Sequence, residues 1–284
     1  MQVNKMRCGN ALPFLSGNKS GGCQKSPLLL LVIVALSIVV AYYSCVLVYG
    51  GSILLLGGSG LGKTILQFNP HSRRTVRWSG QLLRLRHGHT AVALQPDETR
   101  VLVMGGEAEG EGVWTTSTEM VDLRAGTVVP WPPTIYYHGF FASSCVVGNL
   151  VYLCGGTLSP ANCETLNVAE MKWTTLAFSG FSIERHSSIF VDHRVYLVGG
   201  ITIGKFGQAK WEAVSLFQYD TVNRSWSSPT NSSMSVERWS AASALLTLEG
   251  RHSIVVCGGY CYKNFSLLTE KEGLVARQHA LSLH

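Results

Sequence analysis

The run Gly57-Gly58-Ser59-Gly60-Leu61-Gly62-Lys63-Thr64 has the letters of a phosphate-cradling loop, in which loop amides and a helix N-terminus hold phosphate and a Thr hydroxyl holds magnesium. That chemistry needs a helix to start at the Lys. Here Pro70 stands six residues past Thr64, with no helical apolar period between them, so nucleotide binding is not expected. The histidines His87, His89, His138, His186, His193 and His252 are the candidate metal ligands. No HExxH, GxSxG or CxxC accompanies them, so no metal, no cofactor and no catalytic residue is assigned. Arg86, Arg185 and Arg238 recur along the chain, the first two followed by His. They can bond one sheet to the next, or line one mouth of a ring as an anion-binding surface.

Cys154 and Cys257 each end an apolar run just before Gly-Gly and read as buried strand thiols. Cys145 and Cys154 flank a hairpin turn at Gly148-Asn149, and counting out from the turn pairs Cys145 with Tyr152. A disulfide between those two cysteines is therefore not expected. The basic residues Arg73, Arg74, Arg77, Arg84 and Arg86 are confined to one stretch, too narrow for a nucleic-acid groove.

These residues have to be positioned by short elements. The 284 residues are 46% hydrophobic and only 14% charged, with 30 Gly, a balance that suits short strands joined by turns. Charge is unevenly spread: the first 96 residues carry ten Lys or Arg and no acid, whereas the remainder carries 13 against 17 acids.

Three segments follow. Residues 1–27 are polar and basic through Lys5, Arg7, Lys19 and Lys25. Residues 28–49 contain no charge and read as a transmembrane helix or signal anchor, with a cleaved leader and a segment packed in the fold as the alternatives. Residues 50–284 form the folded domain. The basic flank puts the N-terminus in the cytoplasm and the domain in the lumen or outside the cell, the alternative being a cytoplasmic protein. The sequons at Asn223, Asn231 and Asn264 are glycosylation candidates that agree with this side.

The domain repeats. Apolar runs end in Gly57-Gly58, Gly105-Gly106, Gly155-Gly156, Gly199-Gly200 and Gly258-Gly259, at intervals of 48, 50, 44 and 59 residues. Between them a polar turn leads to a Trp, at Trp78, Trp131, Trp173 and Trp226, and no stretch keeps a helical period. Each unit holds about four short strands, which cannot bury both faces alone, and stacking such sheets around an axis solves this. The second unit brings Tyr136, Tyr137 and His138 where others bring Arg, and no Trp follows the last glycine pair.

In these glycine pairs and tryptophans, with Tyr219 before Asp220, the chain resembles the kelch-repeat β-propellers, over about residues 45–284. The resemblance implies an all-β propeller of four-stranded blades, about five in number. Such propellers bind proteins through loops at one mouth, and this is the expected function here: a non-enzymatic scaffold for an unknown protein partner. Trp114, Phe206 and Trp211, on the longest loops, are its contact candidates, with Arg86, Arg185 and Arg238 on the mouth. The family also includes a copper radical oxidase and a sialic acid mutarotase, so the alternative is a carbohydrate-directed enzyme.

Overall fold

A computed structural model describes residues 45–49, 51–58, 60–96, 98–108, 113–158, 162–176, 182–203, 211–213, 216–228, 234, 237–248, 251–257, 259–260 and 281–282. The described elements are all strands, and the main sheets are antiparallel meanders in chain order. Blade 1 is β1 (Cys45–Tyr49), β2 (Ser52–Leu56), β3 (Thr64–Asn69) and β4 (Arg74–Gln81). After β5 (Arg86–His87), blade 2 takes β6 (Thr90–Leu94), β7 (Arg100–Met104), β9 (Thr118–Asp122) and β10 (Thr127–Trp131), while β8 (Glu107–Ala108) pairs with β5. Blade 3 is β11 (Ser143–Val147), β12 (Leu150–Cys154), β13 (Cys163–Asn167) and β14 (Lys172–Thr175).

After β15 (Ile183–Glu184), blade 4 has β16 (Ser187–Val191), β17 (Arg194–Val198), β20 (Leu216–Asp220) and β21 (Ser225–Ser227). The ribbon β18 (Ile201–Ile203) and β19 (Trp211–Ala213) joins β15 in a separate small sheet. Blade 5 comprises β22 (Ala242–Leu248), β23 (Arg251–Cys257) and β24 (Leu281–Ser282). First strands pack in succession, β1 on β6, β6 on β11, β11 on β16 and β16 on β22, and no comparable contact joins β22 to β1 among the described strands.

The second strand of each blade shows why the sheets must stack. In β7, Val101 and Val103 face the cluster shared with Leu56 and Ile65 of blade 1, whereas Leu102 and Met104 face the cluster shared with Val151 and Leu153 of blade 3. In β17, Val195 and Leu197 pack toward Tyr152 and Cys154, while Tyr196 and Val198 pack toward Ile254. Period-2 alternation thus sends each face to a different neighbour, and a strand buried on both sides is apolar throughout. The tryptophans sit between sheets. Trp173 is buried in the blade 2 and 3 cluster and donates its Nε1 hydrogen to Pro132 O at 2.8 Å.

Gly105 explains the glycine hallmark physically: at φ +66° a Cβ would stand 2.6 Å from His138 O, so no side chain fits. A run of hydroxyls stitches the first strands together, through Thr90 with Ser144, Ser143 with Ser188 and Ser187 with Ser243.

Two expectations change, on the apolar run and on Cys154. The apolar run does not stay one helix to Tyr49, because Cys45–Tyr49 is β1, paired with β2 from Cys45↔Leu56 to Tyr49↔Ser52. Only residues 28–44 remain for a span; they and residues 1–27 lie outside the described residues, and no helix among those described is long and apolar enough to cross a membrane. Cys145 does pair with Tyr152. Cys154, read as a thiol, is instead disulfide-bonded to Cys163, directly opposite it across β12 and β13 at a Cα separation of 4.2 Å. The glycine-rich Gly57–Thr64 loop turns into strand β3 and not into a helix.

Candidate functional site

Blades 2 to 5 are each entered through a segment that runs from the previous blade's outer strand to the new first strand. These lead-in segments gather at one end of the molecule with the loops that follow the glycine pairs. Two backbone features align them. A carbonyl in each accepts the amide of the preceding blade's second glycine: Arg86 O from Gly58, His138 O from Gly106, Ile183 O from Gly156 and Arg238 O from Gly200. Two residues before each first strand stands a left-handed residue: Gly88 (φ 62°), Phe141 (67°), Arg185 (60°) and Ser240 (52°).

This alignment moves two residues. Arg185 matches Gly88, not Arg86, whose place in that segment is taken by Ile183 and in the preceding one by His138. His186 likewise matches His89, with Ala142 and Ala241 in the sister segments. Both imidazoles are fully enclosed; burial, reinforced by Arg86 beside His89 and by His138 beside His186, pulls each down to about 3.

The carbonyl position carries a buried polar side chain bonded to a buried glutamate twice. Arg86 is wholly inside and donates from Nε to Glu119 Oε1 at 3.0 Å and from Nη1 to Gly105 O at 3.0 Å and Ser117 O at 3.1 Å. Burial lowers its basicity while Glu119 opposes that pull. His138 lies 2.7 Å from Glu164 Oε1 through Nε2 and 2.7 Å from Gly155 O through Nδ1. These pairs are spent on holding blades together.

The left-handed position faces the axis. Phe141, Arg185 and Ser240 are bonded in sequence, Arg185 N donating to Phe141 O at 3.1 Å and Ser240 N to Arg185 O at 2.8 Å. The Arg185 guanidinium carbon lies 3.7 Å over the Phe141 ring centroid and 5.0 Å from that of Trp239. Trp239 stacks on Tyr260 at 4.6 Å, and Phe141 continues through Phe140 to Trp114, which meets Phe140 edge-on at 4.7 Å. Glu184 Oε1 is 3.5 Å from Arg185 Nε. Burial holds its carboxyl above the ordinary carboxylate range, against the lowering pull of Arg185. A second contact with a glutamate, His87 Nε2 to Glu107 Oε2 at 3.3 Å, borders Phe140. This end thus offers the partly exposed Arg185, flat aromatic faces and a buried carboxyl that holds its proton more tightly than an exposed one.

The predicted contact residues scatter. Trp114 is half-buried under Phe140, Trp211 belongs to β19, and Phe206 lies outside the described residues. Arg86 is interior, Arg185 is at the axis, and Arg238 offers its carbonyl to Gly200. Asn223 is exposed in the turn after β20, its Nδ2 donating to Asp220 at 3.1 Å, whereas Asn231, Asn264 and Gly258 lie outside the described residues. In the phosphate-loop look-alike, the Leu61 and Gly62 amides donate to Gly58 O and Lys63 Nζ donates to Leu83 O, so these groups serve the loop itself. Phe140, Phe141, Glu184, Trp239 and Tyr260 were not singled out from sequence; for the first four the signal was their distance from the start of the first strand, and for Tyr260 its place after the last glycine pair. Among the described residues no group of three His, Cys, Asp or Glu converges as a metal site, so a copper-oxidase centre finds no donor set there.

The chain folds as an antiparallel β-propeller. It is similar to the solved structure of YjhT, at 14% identity and a TM-score of 0.63, over 78% of this chain and 77% of that one. No family model and no curated protein matches it.

Proposed function

We propose that the mouth of the propeller binds a small anionic, sugar-like molecule and moves a proton on it, the carbohydrate-directed reading that the kelch resemblance allows. The observation that carries this reading is Arg185. It is held at the axis in a left-handed conformation, between Phe141 and Trp239, where sister segments have Gly88 and Ser240. A guanidinium fixed over aromatic rings presents its hydrogens to a carboxylate, and the neighbouring faces of Trp239 and Tyr260 suit the C–H face of a sugar ring. Glu184, next in sequence and above the usual carboxylate range, is the candidate acid or base for opening and closing such a ring.

The test is anomer exchange. Saturation-transfer NMR on a sugar acid such as N-acetylneuraminate should show faster exchange with the protein, binding lost by about tenfold or more in Arg185→Ala, and slowed exchange with binding retained in Glu184→Gln. Equal binding of the neutral methyl ester would remove Arg185 from this role. The Cys154–Cys163 disulfide and the exposed Asn223 support a lumenal or extracellular position, where disulfides persist. Endoglycosidase sensitivity of the expressed chain that vanishes in Asn223→Gln is the corresponding check. A shift unchanged by the substitution would count against that site.

A further inference from the structure

The stack on Arg185 does not end at Phe141. Phe140 meets the Phe141 ring at 5.8 Å between centroids and the Trp114 ring edge-on at 4.7 Å, and all three rings are half-buried. Leu158 completes the row. A Cβ on Gly139 would lie 3.3 Å from both Leu158 Cγ and the Trp114 ring, so these two side chains flank one bare stretch of backbone. Contacts therefore run unbroken from the guanidinium to Leu158, which is 46% exposed. At the inner end, Glu184 is the one described carboxylate on Arg185 and reaches it at Nε, which leaves both Nη groups for a ligand.

The row is fixed in place. Phe140 N donates to Thr157 Oγ1 at 3.1 Å, Phe140 O accepts from Thr157 N at 3.0 Å, and the Phe140 ring occupies the space that a Cβ on Gly88 would need. Sister loops are built differently. Two residues past their glycine pairs stand Ala108 and Thr202, which pair in register with Arg86 and Ile183, whereas Leu158 lies in a turn outside any strand. Joining the blades does not call for an exposed leucine at this point.

We propose that the row from Phe141 to Leu158 seats an apolar acyl group of the sugar acid whose carboxylate Arg185 takes, so that the site prefers sugar acids acylated with a group larger than acetyl. The proposal rests on the small-ligand reading and names the substrate class within it. Rings already held in position lose little freedom on binding, and their faces offer apolar area for the acyl group to cover.

Saturation-transfer NMR with the full chain tests it, comparing N-acetylneuraminate with N-phenylacetylneuraminate. The phenylacetyl sugar should bind about tenfold more tightly, a gain read in KM and not in the exchange rate at saturation. Leu158→Ser, fold-neutral because the side chain is exposed, should cut that preference by about threefold, and Trp114→Ala should remove it. Arg185→Ala should weaken both sugars by the same factor. If neither sugar binds the wild-type protein, the small-ligand reading falls and this proposal with it. If both bind equally, or if the preference survives Leu158→Ser and Trp114→Ala, the small-ligand reading stands and the acyl row is overturned. A wild-type dimer in sedimentation that Leu158→Ser dissolves also overturns it, since a second copy would then occupy the row.

Discussion

The junctions from blade 1 to 2 and from blade 2 to 3 are built around buried polar pairs, and the junction from blade 3 to 4 is not. In the first two, a buried polar side chain from the lead-in segment meets a buried glutamate on the third strand: Arg86 with Glu119, His138 with Glu164. In the last, the lead-in position is Ile183 and the glutamate position is Phe217, and both belong to one apolar cluster braced by Cys154 and Cys163. The strand registers prove the equivalence, since Val103↔Glu119, Leu153↔Glu164 and Leu197↔Phe217 are matching rungs. One backbone slot accepts either solution provided both partners change together. The apolar solution also leaves the only arginine of that segment, Arg185, free of interior duty and available at the axis.

Breaking one partner of a charged junction should have the largest effect. Glu119→Ala strands Arg86 without its carboxylate and should cost roughly 3–5 kcal/mol in urea unfolding, whereas Arg86→Met with Glu119→Leu, which copies the blade 4 solution, should recover most of that loss. If the double variant is no better than the single, the two junction types are not interchangeable.

At the apolar junction the corresponding brace is covalent. The bond closes a nine-residue separation, so Cys154→Ala with Cys163→Ala should cost about 2–3 kcal/mol, and dithiothreitol should lower the wild-type midpoint but not that of the variant.

Acid acts on both types. His89 and His186 are neutral when folded, with values near 3 against 6.5 when unfolded, so the unfolded chain takes up protons first. Their stabilising share is complete above about pH 6.5 and shrinks as pH falls toward 3, by about 2 kcal/mol for each at pH 5. His186→Ala, matching Ala142 and Ala241, should flatten that slope in unfolding measured between pH 7 and pH 5; an unchanged slope would mean that His186 does not titrate this way. The smallest effect is expected at the axis, where Arg185→Ala should lower stability by no more than about 1 kcal/mol despite its effect on ligand.

Much of the architecture was legible in the letters. The glycine pairs, the tryptophans and the hairpin at Gly148-Asn149 mark strand ends, because each serves a local steric or packing need that sequence spacing preserves. The charged network was misread for a physical reason. Arg86-His87 and Arg185-His186 look like one motif, but the backbone aligns Gly88 with Arg185, and two residues of offset separate an interior cation from an axial one. His138 was seen to stand where other units bring Arg, and the shared carbonyl-to-glycine bond sets it level with Arg86 in particular and not with Arg185. Cys163 was overlooked as a partner because its strand begins after a loop of unmarked length, so the register of β13 could not be counted.

The stitched hydroxyls have a direction. In each junction the first residue of one strand, Thr90, Ser143 or Ser187, meets the second residue of the next, Ser144, Ser188 or Ser243. The matching pair between blades 1 and 2 would be Cys45 with Ala91, by register, and no hydroxyl stands at either position. Replacing Ser143 and Ser187 by Ala should therefore lower, in native-state amide exchange, the free energy at which the first strands of blades 3 and 4 open.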